Sequence, residues 1–324
     1  MIQPAIEIHG IHKIYPATGG NPATHALKGI DLTVDHGMIF CILGPNGAGK
    51  TTLISILSGL LYPDAGTGYV GGFDLLRDRR RIRWIVNLAS GQANFTDNFT
   101  VEETLTYFGM LYGLPKADRK KKADELMGFF ELGSHRRIPF NQLSTGLKQR
   151  LALAKSLIND PKILFLDEPT VGLDPRVSLL IRSRLQEWHQ KRGTTIILTT
   201  HQMDEAEQLS DRIAFLRDGQ CVRIGGAEEL KRSIQFHERI TIRGRGLGRA
   251  PELIGRIPGV SDIRGDRNQV MCRVDSRQKC LNSILEAVLP SGAIIEHIDI
   301  TRPTLGDVFV ALANQSDTDQ RVLF

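Results

Sequence analysis

Residues Gly44-Pro45-Asn46-Gly47-Ala48-Gly49-Lys50-Thr51 follow the pattern GxxxxGKT. Glycines at these spacings let a backbone wrap around phosphate oxygens with no Cβ in the way. A lysine at the end of such a loop can reach β- and γ-phosphates, and the hydroxyl after it can sit on Mg²⁺. The setting supports this chemistry. Ile39 to Leu43 is an apolar run of strand length, and from Thr52 onward Leu53, Ile56, Leu57 and Leu60 recur at helical spacing. A strand turning sharply into a helix leaves backbone N–H groups aimed at one spot, where the positive end of the helix dipole also points. The pattern therefore predicts a nucleoside triphosphate site built from residues 44–52.

A second run, Ile163-Leu164-Phe165-Leu166-Asp167-Glu168, is an apolar strand ending in two carboxylates. Acids at the carboxyl end of a buried strand lie where α/β sheets bind ligands. Beside a phosphate loop, Asp167 is expected to hold Mg²⁺ through water and Glu168 to polarise an attacking water. Leu143-Ser144-Thr145-Gly146-Leu147-Lys148-Gln149-Arg150 is the third distinctive run. Ser144 suits a helix N-cap, and Gly146 lets an anion approach the first turn. His201 stands directly after a strand expected at 195–200.

Leu143 to Arg150 resembles the signature motif of ATP-binding cassette (ABC) ATPases, in the form LSTGxKQR, and lies between the phosphate loop and the Asp-Glu strand as in that family. The resemblance covers about residues 5 to 230 and implies further roles. Gly172-Leu173-Asp174-Pro175 is similar to the family's D-loop, with Asp174 near the nucleotide of a facing cassette. His201 would be the switch histidine on the γ-phosphate, and Tyr15 the aromatic residue on which adenine stacks. The family also carries a Gln that contacts the metal or water. Counting back from Thr100-Val101-Glu102, that position falls on Gly91, so Gln92 is the candidate and a one-residue shift stays open.

These motifs need elements to hold them. Ala5 to Ile14 and Leu27 to Val34 have strand character, and after Gln142 helices at 145–158 and 177–190 alternate with apolar strands at 163–166 and 195–199. That alternation predicts an α/β fold around a parallel sheet, a P-loop NTPase cassette spanning residues 1–232. Charged helical segments suggest a helical subdomain inserted at about 75–142. From about 236 to 312 a smaller α+β domain follows, in the order β-α-β-β-α-β of a ferredoxin-like sandwich. Residues 313–324 are polar and expected to form a flexible tail.

Composition limits the partners. A net charge of +5 over 324 residues is too small to imply nucleic acid. Basic runs at 77–83 and 116–122 suit solvated helix faces, the alternative being contact with acidic lipid head groups or a partner's loops. Four cysteines without CxxC spacing suggest neither zinc nor a disulfide framework, which fits a reducing cytoplasm. No apolar run approaches the roughly twenty residues that span a bilayer, so a membrane role is expected to come through a separate chain.

In the family, each signature motif completes the other cassette's phosphate site. One motif set per chain thus implies a dimer, with itself or a related chain, closed by ATP and released by hydrolysis. Two functions stand: the energy-supplying subunit of a transporter, on the cytoplasmic face of the membrane beside an integral permease, or a soluble cassette ATPase acting on DNA or ribosomes. The absence of a second cassette or long coiled-coil arms favours transport. The LSTGLKQR form, Thr104 to Leu114, and Thr304-Leu305-Gly306-Asp307-Val308-Phe309 resemble ATPases of ABC-2-type exporters. The C-terminal unit carries no recognisable chemical motif and is expected to stabilise the dimer or regulate it.

Overall fold

The computed structural model describes residues 3–17, 22–90, 95–232, 238–274, 277–301 and 304–309. The chain divides into two compact units, residues 1–227 and 228–324.

In the first unit, β1 (Ile6–Tyr15) and β2 (Thr24–Val34) pair antiparallel. β3 (Ile39–Leu43) is buried at every position and leads through the phosphate loop into α1 (Lys50–Leu57). β4 (Ala65–Val70) and β5 (Phe73–Asp74) complete a four-stranded sheet in the order β2-β1-β4-β5. Next come α2 (Arg79–Ile85), β6 (Val86–Ser90), and the helices α3 (Val101–Leu111), α4 (Lys116–Phe129) and α5 (Thr145–Ser156). The chain continues through β7 (Ile163–Asp167), α6 (Pro175–Arg192), β8 (Thr195–Thr200), α7 (Met203–Leu209), β9 (Arg212–Arg217) and β10 (Gln220–Gly225).

The main sheet has six strands in the order β10-β9-β3-β8-β7-β6. Its pairings are parallel except that between β9 and β10. Strands covered on both faces must be apolar throughout, and β3 and β8 are buried along their whole length. One core joins both sheets to α1, with Ile8, Ile30, Ile42, Phe165 and Ile197 packed alongside Leu53 and Leu57. Burying each such side chain contributes about 1.5–3 kcal/mol. The carboxyl ends of β3, β7 and β8 consequently lie side by side at one sheet edge.

The start of the helical insertion needs correction. Residues 86–90 form a strand parallel to β7, with Leu88 opposite Phe165 and Ser90 opposite Asp167. The segment is short and carries Asn87 near its middle, so its local pattern does not signal a buried strand. Pairing with β7 decides the outcome, and buried Asn87 is satisfied by donating to Asn159 Oδ1 at 2.8 Å. α3 begins with a reciprocal capping box between Thr100 and Glu103. Phe95 packs against Phe140 and Phe108, and Phe99 against Tyr107, forming an aromatic cluster beneath these helices.

α8 (Ala227–Arg232) leads into the second unit, made of β11 (Glu238–Arg245), α9 (Ala250–Ile254), β12 (Val260–Gly265), β13 (Gln269–Val274), α10 (Arg277–Val288) and β14 (Ile294–Thr301). The antiparallel sheet order is β12-β13-β11-β14. First and third strands at the centre, second and fourth at the edges, is the ferredoxin-like arrangement expected from the element order. Ile240, Ile242, Val270 and Cys272 pack with Ile254 of α9 and Ile284 and Val288 of α10 into a separate core. Thr304 and Asp307 cap the short turn of helix that follows, each side chain bonded to the other's backbone N–H. The expected tail at 313–324 lies outside the described residues.

Candidate functional site

The phosphate loop turns on glycines of different use. Gly47 and Gly49 have φ of 80° and 101°, the left-handed region. At Gly49 a Cβ would meet the Ala26 carbonyl oxygen at 2.5 Å, so close packing excludes any side chain. At Gly47 a Cβ would meet nothing within 4 Å, so this glycine faces open space where a side chain would intrude on an approaching anion. Pro45 and Asn46 form the exposed crest, and Ala48 is buried behind them. α1 has Gly49 at its N-cap, no capping side chain and no acid in its first turn. Its first N–H groups and positive dipole end therefore suit a phosphate.

Lys50 is buried, and its Nζ donates to the carbonyls of Gly44 at 2.8 Å and Pro45 at 3.0 Å. It also lies 3.4 Å from Glu168 Oε1. Thr51 Oγ1 donates to Asp167 Oδ2 at 2.9 Å, and Thr199 Oγ1 donates to Asp167 Oδ1 at 2.6 Å. The carboxylate is thus fixed between hydroxyls from α1 and β8. Glu168 sits just beyond, its N–H bonded to the Thr199 carbonyl and hydroxyl, both at 3.1 Å. Its φ of 52° is a left-handed conformation that costs a glutamate about 1–3 kcal/mol. His201 Nδ1 reaches Glu168 Oε1 at 3.3 Å.

Tyr15, from the end of β1, has an exposed ring and brings its hydroxyl to 3.4 Å from Thr52 Oγ1. An aromatic face is therefore available beside the first turn of α1. Ser144 and Gly146 sit at the start of α5. Ser144 accepts the Leu147 N–H at 3.4 Å as N-cap, and neither residue is hydrogen-bonded to the phosphate loop among the described residues. Asp174 caps α6, accepting from Arg176 and Val177 at 3.1 and 3.0 Å. Gln92 and its neighbour Gly91 lie outside the described residues.

The donor set suits a hard cation. Thr51 and Asp167 offer oxygens only. No group of three or more His, Cys, Asp or Glu able to hold a metal occurs among the described residues, so a cation here would complete its shell from substrate and water. Thr199 escaped the sequence reading; its signal was a pair of threonines closing a buried strand just before His201.

A cleft of about 530 Å³ opens between β6, α2 and α3. Trp84, Phe95, Phe108 and Tyr112 line it together with Arg83 and Lys155. Lys155 donates to the Leu88 carbonyl at 3.2 Å and lies 5.3 Å from the Phe108 ring centre. In the basic run before the cleft, Arg79 is held by the Gly59 carbonyl and stacks on Tyr62, and Arg81 stacks on Phe73.

The chain is similar to known proteins along nearly its whole length. Residues 27–171 match the ABC transporter family, and residues 225–313 match the C-terminal domain of DrrA1-3-like ATP-binding proteins. Daunorubicin resistance ATP-binding protein DrrA3 of Streptomyces coeruleorubidus is 37% identical over 99% of each chain. The daunorubicin/doxorubicin resistance ATP-binding protein DrrA of Streptomyces peucetius is 34% identical over 98% of this chain and 94% of its own. Nod factor export ATP-binding protein I of Ralstonia nicotianae is 39% identical over 70% of this chain and 68% of its own. Among solved structures, a dimeric ATP-binding cassette in a post-hydrolysis state with ADP and Pi superposes with a TM-score of 0.63 at 28% identity, covering 68% of this chain and 98% of that one.

Proposed function

The chain belongs to the ATP-binding subunits of ABC transporters, and from that premise we propose that it works as one of two ATPase subunits driving an exporter through a separate membrane permease. It is an ATPase of the exporter type. No described helix is long and apolar enough to cross a membrane. The location proposed is therefore peripheral, on the cytoplasmic face, held by the permease. The export role carried by the relatives' names is extended to this chain.

The geometry supports the parts proposed for Lys50, Thr51, Asp167, Glu168 and His201, and the family resemblance extends parts to Tyr15, Gln92, Ser144, Gly146 and Asp174. Mg²⁺-ATP, when bound, supplies the phosphoryl group and a metal that offsets its charge. The loop N–H groups of residues 46–51 and the Lys50 ammonium hold the phosphates. Thr51 and Asp167 would hold the metal, with Gln92 a further candidate contact. Glu168 orients the attacking water and accepts its proton. His201, on the same Glu168 oxygen, steadies that carboxylate and offers a hydrogen bond to the terminal phosphate. Tyr15 stacks the base. Ser144, Gly146 and Asp174 act on the nucleotide of a second cassette, and the C-terminal unit stabilises or regulates the pair.

One observation carries the two-chain reading. Within the chain, the signature helix packs on β6, α3 and α4 and is bonded to the loop after Glu168, while Ser144 and Gly146 at its start make no hydrogen bond to the phosphate loop among the described residues. The test is isolation of the full chain with native membranes. Co-recovery of an integral membrane protein, with ATP-dependent export in inverted vesicles that Glu168→Gln abolishes, is the expected result. Recovery with DNA or ribosomes and no membrane protein would overturn it in favour of a soluble cassette ATPase.

A further inference from the structure

The loop that follows Glu168 is held from two sides. The Pro169 carbonyl accepts from Gln149 Nε2 at 2.9 Å. The Thr170 hydroxyl donates to Glu205 Oε1 at 2.6 Å, and both of these residues are buried. Gln149 belongs to α5, the helix that begins at Ser144, and Glu205 belongs to α7, just after His201. α5 touches the far end of the same loop as well. A Cβ on Gly146 would lie 3.3 Å from both Val177 methyls, and the Val177 N–H is capped by Asp174. The signature helix is thus bonded to the start of the segment 168–174 and lies beside the first turn of α6 at its end.

These attachments can carry a signal. An α-helix is stiff over the turn and a half between Ser144 and Gln149, so displacement of one moves the other. Glu168 keeps its left-handed backbone only because its neighbours over-determine it. Thr199 fixes it from the N–H side, and on its other side Gln149 holds the carbonyl of Pro169, the residue that follows it. We propose that Gln149 is a positioning residue. Through the Pro169 carbonyl it links occupancy of the site that its helix completes in the other chain to the setting of Glu168 in its own. This rests on the two-chain reading above, and it predicts that the two ATP sites fire cooperatively because of this bond. Glu205 and Thr170 anchor the opposite side of the loop, so the force from α5 bends it at Pro169 and does not shift it bodily.

The test uses the full chain and ATP alone. Gln149→Leu keeps a helix-compatible side chain, one bond shorter, and removes the donor. Its kcat should fall about tenfold, its KM for ATP should stay within about twofold, and its Hill coefficient should drop toward 1. Gln149→Glu, nearly the same shape, should show the same pattern and serves if the leucine variant melts early. Parent-like kcat and Hill coefficient in the folded variant overturn the proposal. So does an equal change in kcat and KM at an unchanged Hill coefficient, which marks a structural role, or a parent Hill coefficient of 1. ATP-driven dimerisation of Glu168→Gln, followed by light scattering, separates the two levels. If that variant stays monomeric, the two-chain reading falls and takes this inference with it. If it dimerises while both Gln149 variants are kinetically silent, only the role of Gln149 falls.

Discussion

Lys50 Nζ and Glu168 Oε1 approach to 3.4 Å across the nucleotide site, and His201 meets the same oxygen at 3.3 Å from the other side. On the roles proposed above, a cation for phosphate and a carboxylate for water share one small space, and a bound phosphate would compete for Lys50 and free Glu168 to take up water.

Two substitutions separate these roles. Glu168→Gln keeps the size and the backbone bonds to Thr199 but removes the charge that accepts a proton. ATP affinity should stay within about threefold while single-turnover hydrolysis slows by about two orders of magnitude or more. Lys50→Ala should weaken ATP binding itself, as measured by nucleotide titration, and abolish turnover with it. Near-normal hydrolysis by Glu168→Gln would remove Glu168 from the role of base.

Ser144→Arg tests completion of the site from outside. The substitution removes the α5 cap, costing about 1 kcal/mol, and places a bulky cation at the proposed contact while the chain's own phosphate loop stays intact. The monomer should bind ATP with parent affinity, yet neither dimerise with ATP nor hydrolyse it. Mixing it with Lys50→Ala shows whether damage in one chain silences the neighbour's site. Parent-like hydrolysis by Ser144→Arg would mean that one chain holds a complete site.

What could be seen in the sequence was what chemistry forces into contiguous residues. A phosphate loop needs its glycines, lysine and threonine side by side, and the Asp-Glu pair must end a buried strand, so both were legible. The ferredoxin-like order was legible because each of its elements carries its own periodicity. β6 was not, since Asn87 breaks the apolar run and only pairing with β7 makes it a strand. Thr199 on Asp167, Gln149 on Pro169 and Glu205 on Thr170 are contacts between distant segments, and no local pattern encodes them. Phe95 packs in the aromatic cluster and also lines the cleft, so one side chain serves both the subdomain core and the surface.

The cleft lysine gives a pH prediction. Burial pushes the Lys155 ammonium down to about 8 from an ordinary 10.5. Below about pH 8 the folded and unfolded chains both hold the proton, and the fold carries the whole cost of burying the charge. Between about 8 and 10.5 the unfolded chain binds more protons, so stability rises with pH across that window. Lys155→Met should raise stability at pH 7 by up to about 3 kcal/mol, less the bond to the Leu88 carbonyl, and flatten the rise. Urea denaturation at pH 7 and pH 9.5 reads both effects. A methionine variant no more stable than the parent at pH 7 would show that the ammonium is adequately solvated.

On the function proposed above, the same cleft is suited to receive the membrane partner. Its walls are aromatic, its lining charges are the cations Arg80, Arg83 and Lys155, and among the described residues no carboxylate lines it. A short amphipathic helix bearing an acid is the shape and charge that complements such a surface, and its carboxylate would offset the cost of Lys155. Phe95 is a poor probe of this surface, because Phe95→Asp would also open the contacts with Phe108 and Phe140. Trp84 is a better one. It is 56% exposed and touches Tyr112 only edge-on, so Trp84→Asp should leave the fold intact. Melting temperature and ATP affinity of the isolated chain should stay near the parent's, while recovery with the membrane protein should fall at least about tenfold, the loss typical of a central aromatic anchor. Normal recovery would move the docking surface elsewhere on the first unit, and a collapsed melting temperature would assign Trp84 to the packing of α2.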